Sequence, residues 1–346
     1  VEGHHPLFIG RTGLKGDRAG NFAMQNSDLI LSIGSRLGVT VIGYDPKQFA
    51  REANIVVVDI DPVEHQKKTL EIDVFINADA KEFLQSFKPE HLPDISKWRE
   101  RCLAWKERYP VCLPEYRQAT QGINLYYFMD ELSKQLADGA VVVSDAGSAV
   151  YVPAQGFKAK NNQRLILSGA QAELGFTIPA CIGVSLAEKS GQVVGITGDG
   201  SLQTNIQELQ TIVEYKLPIK LFVWNNDGYL SVRSTQNRIF QGRLAGTDAT
   251  NGLSLPDTKK IADAYGIAFV KLEGGQNLGL RIKEILQMPG SVICEVMCIR
   301  DQEIVPTVSS KKLDDGRMVS KPLEDLYPFL DREEFRQQMI IKPIEE

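Results

Sequence analysis

The stretch "VVGITGDGSLQTNIQELQTIVEYKLPIKLFVWNNDGYLS", residues 193–231, holds two apolar runs that each end in polar residues. The first closes on Gly198, Asp199 and Gly200; the second, after 24 intervening residues, closes on Asn225 and Asn226. Between them "NIQELQTIVEY" (205–215) places Ile206, Leu209, Ile212 and Val213 at helical spacing, which predicts a helix with one apolar face. The order strand, loop, helix, strand, loop sets a carboxylate and an amide at the carboxyl ends of two successive strands. In an open parallel sheet that edge is where ligands bind.

The same grammar extends in both directions. "AVVVSDAG" (140–147), "RLILSG" (164–169), "AFVKL" (268–272) and "SVICEVM" (291–297) read as further buried strands, with helices at "NLYYFMDELSKQLA" (124–137) and "GFTIPACIGVSLA" (175–187). Nearer the start, "DLILSIGS" (28–35) and "NIVVVDIDP" (54–62) read as strands. "GDRAGNFAMQNS" (16–27), "DPKQFAREA" (45–53) and "ADAKEFLQSF" (78–87) read as helices. The expected class is α/β, with two doubly wound parallel-sheet units over residues 1–88 and 121–300. Residues 89–120, rich in proline and charge, are expected as a linker around one amphipathic helix, and 301–346 as a polar C-terminal tail over the surface.

Composition narrows the function classes. The chain has 346 residues, 43% hydrophobic and 24% charged, with a net charge of −5. That balance argues against nucleic acid or an anionic membrane as partner, and no apolar run approaches the ~18 residues of a membrane span. Five scattered cysteines read as reduced thiols of a cytoplasmic protein. Cys294 and Cys298 lie in a strand-like run with no second pair nearby, so a metal role there is not favoured. His4, His5, His65 and His91 all precede the second unit, which removes a nucleophile–histidine pair from it. No G-x-G-x-x-G follows any strand, which disfavours a Rossmann dehydrogenase.

Three loops carry the chemistry: "SDAGSAV", "TGDGSLQT" and "WNNDGYL". Gly147, Gly198 and Gly200 let backbone approach a ligand, and a helix start near Thr204 favours an anion such as phosphate. Asp199 and Asn226 offer hard oxygens that, with a diphosphate, can complete an octahedral Mg²⁺ site. Alone, each motif is an ordinary turn; at this spacing and in this frame, together they point to a site.

Gly-Asp-Gly followed at this distance by Asn-Asn resembles the thiamine-diphosphate motif. With "LSGAQAELGFTIPACIGVSLA", the chain is similar to the acetolactate synthase branch of that superfamily. The resemblance covers most of the chain. Residues 1–88 ("SDLILSIGSRLG", "IVVVDIDPVE") resemble part of the central domain, and 121–300 the diphosphate-binding domain. It implies that Asp199, the Asn226 side-chain oxygen and the Gly228 carbonyl ligate Mg²⁺. It implies also that Ala146, Gly147, Ser148, Gly198, Gly200 and Ser201 cradle the diphosphate, and Tyr229 joins that cofactor-binding set. Leu174 would support the bent cofactor, and the Ala172 carbonyl would orient its amino group. The implied reaction is decarboxylation and carboligation of 2-oxo acids in a homodimer or tetramer.

The pattern is broken in three places. The family's activating glutamate comes from a pyrimidine-binding domain of a partner subunit, and no such domain precedes Val1. Glu173 belongs to the wrong domain for that role. The expectation is therefore a piece of a longer protein, nearly inactive alone, with the missing domain on another chain as the alternative; an inert cofactor-binding or regulatory module is the non-enzyme alternative. Ser231 and Thr235 stand where acetolactate synthases carry methionine and tryptophan, leaving Tyr229, Arg233 and Gln236 available, with Arg233 read either as a carboxylate or phosphate partner or as a solvated loop arginine. A carboligase or decarboxylase with another acceptor, for instance sugar-linked, fits this pattern too. Arg36 matches part of a flavin-binding pattern, but "LGVTV" replaces the charged residues expected next, so FAD is not expected.

Overall fold

The computed structural model describes residues 2–67, 69–90, 93–169, 171–187, 191–312 and 318–344, and the backbone alone at 311 and 312. His91 lies outside the described residues. The chain divides into two units, one of Val1–Phe8 with Val111–Ile304, the other of Ile9–Pro110 with Val305–Glu346.

The second of these holds a three-stranded parallel sheet of β1 (Leu29–Ile33), β2 (Asn54–Asp59) and β3 (Val74–Asn77), in that order. β3 has no counterpart among the sequence expectations, because its "VFIN" is short and mostly exposed. Met24, Ile42, Phe49, Ile55, Val57 and Leu323 pack as its main core. The predicted helix at 45–53 forms only as a single 3₁₀ turn, Pro46–Gln48. The side chain of Gln25 captures that turn, donating to the Gln48 carbonyl and accepting from the Ala50 N–H at 2.7 Å. The 89–120 stretch contributes helix Ser96–Arg108, whose Trp105 stacks on Phe22 with ring centroids 5.7 Å apart. Phe335, from the 301–346 segment, joins the same cluster.

The larger unit is built on a six-stranded parallel sheet of β4 (Val141–Ser144), β5 (Arg164–Leu167), β6 (Val193–Gly198), β7 (Lys220–Asn225), β8 (Ala268–Leu272) and β9 (Val292–Met297). Its spatial order is β5-β4-β6-β7-β9-β8. Strand side chains alternate between two cores. Val142, Val194, Phe222 and Val296 face helices Leu125–Gln135, Ser148–Gly156 and Leu278–Gln287, while Val141, Val143, Leu221 and Ile293 face helices Thr177–Ala187, Leu209–Glu214 and Thr258–Tyr265. Successive apolar residues in the central strands β4, β6, β7 and β9 thus reflect burial on both faces, as a doubly wound sheet requires. Among the described residues no helix is long and apolar enough to cross a membrane.

One helix of the opening stretch differs from its sequence reading. Helix begins at Asp199, five residues before the expected Thr204, and runs as a short turn, Asp199–Leu202, into a 3₁₀ segment, Gln203–Glu208. Asn205 leaves helical geometry there (φ −131°, ψ 36°) and donates from its side chain to the Gly175 carbonyl at 3.0 Å. Apolar periodicity cannot register that break, because its cause is a partner 30 residues away.

Candidate cofactor and metal site

The site follows from strand order. After β4 the chain forms β5 on one flank and then β6 on the other. The ends of β4 and β6 therefore lead away from each other, the switch point at which open α/β sheets bind ligands. β7 lies on the far side of β6, with Gly198 paired to Trp224 in register. Residues 145–148, 198–201 and 225–229 thus meet at one end of the sheet.

Asp199 and Asn226 come together there. The Asp199 carboxylate is 5% exposed and accepts two backbone N–H groups, Gly200 at 2.8 Å and Gly228 at 2.9 Å. Burial outweighs these donors and pushes its pKa up to about 6, with Asp227 raising it further. The Asn226 Oδ1 atom is buried without a hydrogen-bond partner, one of four such side-chain atoms among the described residues. A buried amide oxygen left unpaired costs about 1–3 kcal/mol.

Backbone geometry shapes the loop around them. Asp227 has φ +60° and Gly228 φ +115°. A Cβ on Gly228 would lie 2.0 Å from the Thr247 carbonyl oxygen, so this position accepts no side chain without moving the loop. On Gly200, a Cβ would fall 2.4 Å from the Tyr229 ring, which packs directly on that backbone. The Tyr229 N–H donates to the Thr247 carbonyl at 2.9 Å.

A second buried carboxylate, Asp145, joins the other loops. Its Oδ2 accepts from Thr197 Oγ1 at 2.8 Å and Ser201 Oγ at 2.7 Å, and its Oδ1 from the Ala146 N–H at 2.7 Å. Burial raises its pKa despite these donors. Ser201 Oγ also accepts from the Gly175 N–H at 2.7 Å, so its hydroxyl is engaged on both sides. Asp145 lies within "SDAGSAV", but no local feature marks it; its role appears only once Thr197 and Ser201, more than 50 residues on, close over it.

The 168–175 segment is held from several sides. The Ala172 N–H donates to the Ser168 carbonyl at 2.9 Å, and the Glu173 N–H to Ser168 Oγ at 3.0 Å. Ala172 itself has φ +54°. Leu174, on this anchored segment, is 44% exposed, so it is not a core residue. Gly147, with φ +58°, caps helix Ser148–Gly156, and a Cβ there would lie 3.0 Å from Ser231 Oγ. Ser231 therefore stands beside the glycine turn after β4. Thr235, one turn further along its helix, is exposed and donates to the Ser231 carbonyl at 2.9 Å.

Arg233 is not the solvated loop arginine of one sequence reading, and the carboxylate it meets is that of Asp301, at 2.6 Å. It is 1% exposed, and its guanidinium is directed into the protein toward the loops of residues 225–229, 247 and 300–301. Arg36, in the other unit, pairs with Glu64 at 2.9 Å. Cys294 and Cys298 are buried and their thiols are shifted upward by burial, so neither offers a thiolate. Among the described residues no group of three or more His, Cys, Asp or Glu converges in a metal-binding geometry. The Asp199–Asn226 pair contributes one carboxylate and one amide oxygen.

Comparison with known proteins agrees with this geometry. Residues 145–296 match the thiamine pyrophosphate enzyme C-terminal TPP binding domain, and residues 1–87 the central domain of the same enzymes. The acetolactate synthase large subunit of Cyanidium caldarium is 31% identical over 317 residues, covering 89% of this chain and 53% of that protein. That of Haemophilus influenzae is 29% identical over 325 residues (92% and 56%), and the isozyme 1 large subunit of Escherichia coli 28% over 306 (88% and 53%). The chain spans about half the length of these relatives. Two domain matches, a shared sheet edge and the paired loop motifs lead to one assignment: the chain belongs to the thiamine-diphosphate-dependent enzyme family.

Proposed function

We propose that this chain binds thiamine diphosphate through Mg²⁺ and forms part of an enzyme that decarboxylates a 2-oxo acid and joins the remaining fragment to an acceptor, in the manner of an acetolactate synthase. The observation that carries the reading is the unpartnered, buried Asn226 Oδ1 on the loop next to the Asp199 carboxylate. An amide oxygen, a carboxylate and the Gly228 carbonyl form a hard oxygen set, suited to a Mg²⁺ ion that completes its shell with diphosphate oxygens. A divalent cation would also reverse the upward push that burial exerts on Asp199.

Other residues take roles around that ion. Residues 146–148, 198, 200 and 201 bring backbone close to the diphosphate, with the Tyr229 ring behind Gly200. Asp145, through Ser201 and Gly175, ties the diphosphate loops to the 168–175 segment, whose Leu174 side chain and Ala172 carbonyl would support and orient the cofactor. The cofactor, when bound, supplies the carbanion-stabilising chemistry; the protein's part is to orient it and keep water out. Residues 1–88 serve as part of the central domain and 121–300 as the cofactor domain. The activating glutamate would come from a pyrimidine-binding domain, across the interface of a homodimer or tetramer.

Calorimetric titration with thiamine diphosphate and Mg²⁺, in the presence of a pyrimidine-binding domain, tests the cofactor reading. Binding that is undetectable, or unchanged in Asp199→Ala, would count against it. Turnover of pyruvate by the full-length protein tests the enzyme reading. The acceptor is the open variable. Ser231, beside Gly147, is far smaller than the methionine expected at its place, which favours a bulkier acceptor as the second reading. Product analysis with pyruvate alone and with an added sugar-linked carbonyl compound separates the two.

A further inference from the structure

Among the described residues, Arg233 is the one buried arginine whose guanidinium reaches the proposed metal loop, and its hydrogen bonds define what it does there. Its Nε donates to Asp301 Oδ1 at 2.6 Å. Nη1 donates to the carbonyls of Asp227 at 3.2 Å and Thr247 at 3.5 Å. Nη2 donates to the carbonyls of Asn226 at 2.9 Å and Arg300 at 2.6 Å. All five N–H groups of the side chain are used, on five different residues, which leaves no donor for a substrate.

Two of those acceptors, Asn226 and Asp227, belong to the metal loop. From the other side, the N–H groups of Gly228 and Asn226 turn toward the Asp199 carboxylate. The backbone at 226–228 is therefore gripped at its carbonyls by Arg233 and at its N–H groups by Asp199, across two successive positive φ values. Arg300 reinforces the grip. It donates to Asp227 Oδ2 at 3.0 Å, Asp248 Oδ2 at 2.7 Å and Asp301 Oδ2 at 2.9 Å. Asp301 thus bridges the two arginines through its two oxygens.

We propose that Arg233 is a positioning residue for the metal centre: it fixes the loop so that Asn226 Oδ1 and the Gly228 carbonyl stay set for a divalent cation. This inference rests on the thiamine-diphosphate and Mg²⁺ reading of the site. A planar fork with five donors does this; a lysine, with three donors on a flexible stem, keeps the charge but not the pattern.

Charge and geometry predict opposite outcomes, which makes the test decisive. Removing a cationic side chain beside a cation site should tighten metal binding if electrostatics alone operated. Loss of positioning should weaken it. Mn²⁺ binding in the presence of thiamine diphosphate, followed by electron paramagnetic resonance on the full-length protein, reads the difference without requiring turnover. Arg233→Lys and Arg233→Gln are both expected to lower Mn²⁺ affinity by about 10–100-fold, the range for an outer-shell partner of a metal ligand. Saturating metal should restore much of the turnover in Arg233→Lys. A folded Arg233→Gln that binds Mn²⁺ as tightly as the parent, or more tightly, overturns the proposal. Should the Arg233 variants fail to fold, Asp301→Asn provides the second test. It keeps the guanidinium but removes its counter-ion and the bridge to Arg300, and unchanged Mn²⁺ affinity there overturns the proposal equally. If Asp199→Asn also binds like the parent, or the parent binds no Mn²⁺ with thiamine diphosphate, the metal reading itself fails and the positioning role falls with it.

Discussion

Both parallel sheets end a strand in an aspartate region, and the two aspartates live under opposite conditions. Asp59, at the end of β2, accepts from the Asp61 N–H at 2.9 Å and contacts His65 at 3.2 Å. Those hydrogen bonds, the Asp61 N–H first, hold its carboxyl below the usual carboxylate range. Asp199, just past β6, has backbone donors too, yet burial dominates and lifts it to about 6. The first carboxylate is satisfied by its own chain. At the second, burial disfavours the ionised form, beside a buried amide oxygen that has no hydrogen-bond partner among the described residues. Under the proposed function, the same residue type near the strand ends of two α/β units separates a structural turn from a binding site, and the environment rather than the motif makes the distinction.

The sharpest way to break this contrast is to remove each carboxylate in turn. Asp199→Asn or Asn226→Ala is expected to reduce thiamine-diphosphate-dependent metal affinity by more than the ~100-fold upper range of an outer-shell partner. Asp59→Asn should leave it unchanged, as read by the same calorimetric titration. Equal effects from the two aspartates would dissolve the distinction.

Glycine offers the next contrast, in stability. Gly228→Ala forces a side chain onto φ +115° and within 2.0 Å of the Thr247 carbonyl. Strain of about 1–3 kcal/mol is expected from the backbone alone, with the contact adding to it. Gly34, after β1, also has positive φ (+61°), but a Cβ there meets only Ala80 Cβ at 3.7 Å. Gly34→Ala should cost about 1 kcal/mol. Urea denaturation midpoints of the two variants check the order. Leu174→Ala sharpens the comparison further. At 44% exposure it should change stability by no more than about 0.5 kcal/mol, while lowering turnover of the full-length protein.

The sequence made the strand ends legible because apolar runs closed by glycine and polar residues are a local signal. Asp199 and Asn226 emerged from spacing, and the strand order then set them side by side. What stayed hidden depended on partners far along the chain. Arg233 read as a surface or substrate arginine because nothing near it announces that the carbonyls at 247 and 300 will enclose it. Asp145 needed Thr197 and Ser201 to become a junction. The helix over 205–215 lost its first turn to the Asn205–Gly175 contact, and the 45–53 helix shrank to one turn under Gln25. In each case tertiary hydrogen bonding overrode a correct local propensity.

The smallest effect comes from a third aspartate, Asp248, which lies near the same loop yet resembles Asp59 in its chemistry. The hydroxyl of Thr250 donates to Asp248 Oδ1 at 2.6 Å, its N–H at 3.0 Å, and Arg300 pairs with Oδ2 at 2.7 Å. These partners, the Thr250 hydroxyl first, hold its pKa down at about 2. Unfolded, an aspartate titrates near ~3.9. The folded value is the lower one, so the ionised side chain stabilises the fold above that pH, and the contribution fades as pH falls toward 2. Asp248→Asn should therefore lower the denaturation midpoint at pH 7 and flatten its decline between pH 4 and 2, in denaturant titrations at fixed ionic strength. Asp199 carries the opposite sign, since burial has raised it. A parallel acid-side decline that survives in Asp248→Asn would place the responsible carboxylates elsewhere, among the surface pairs.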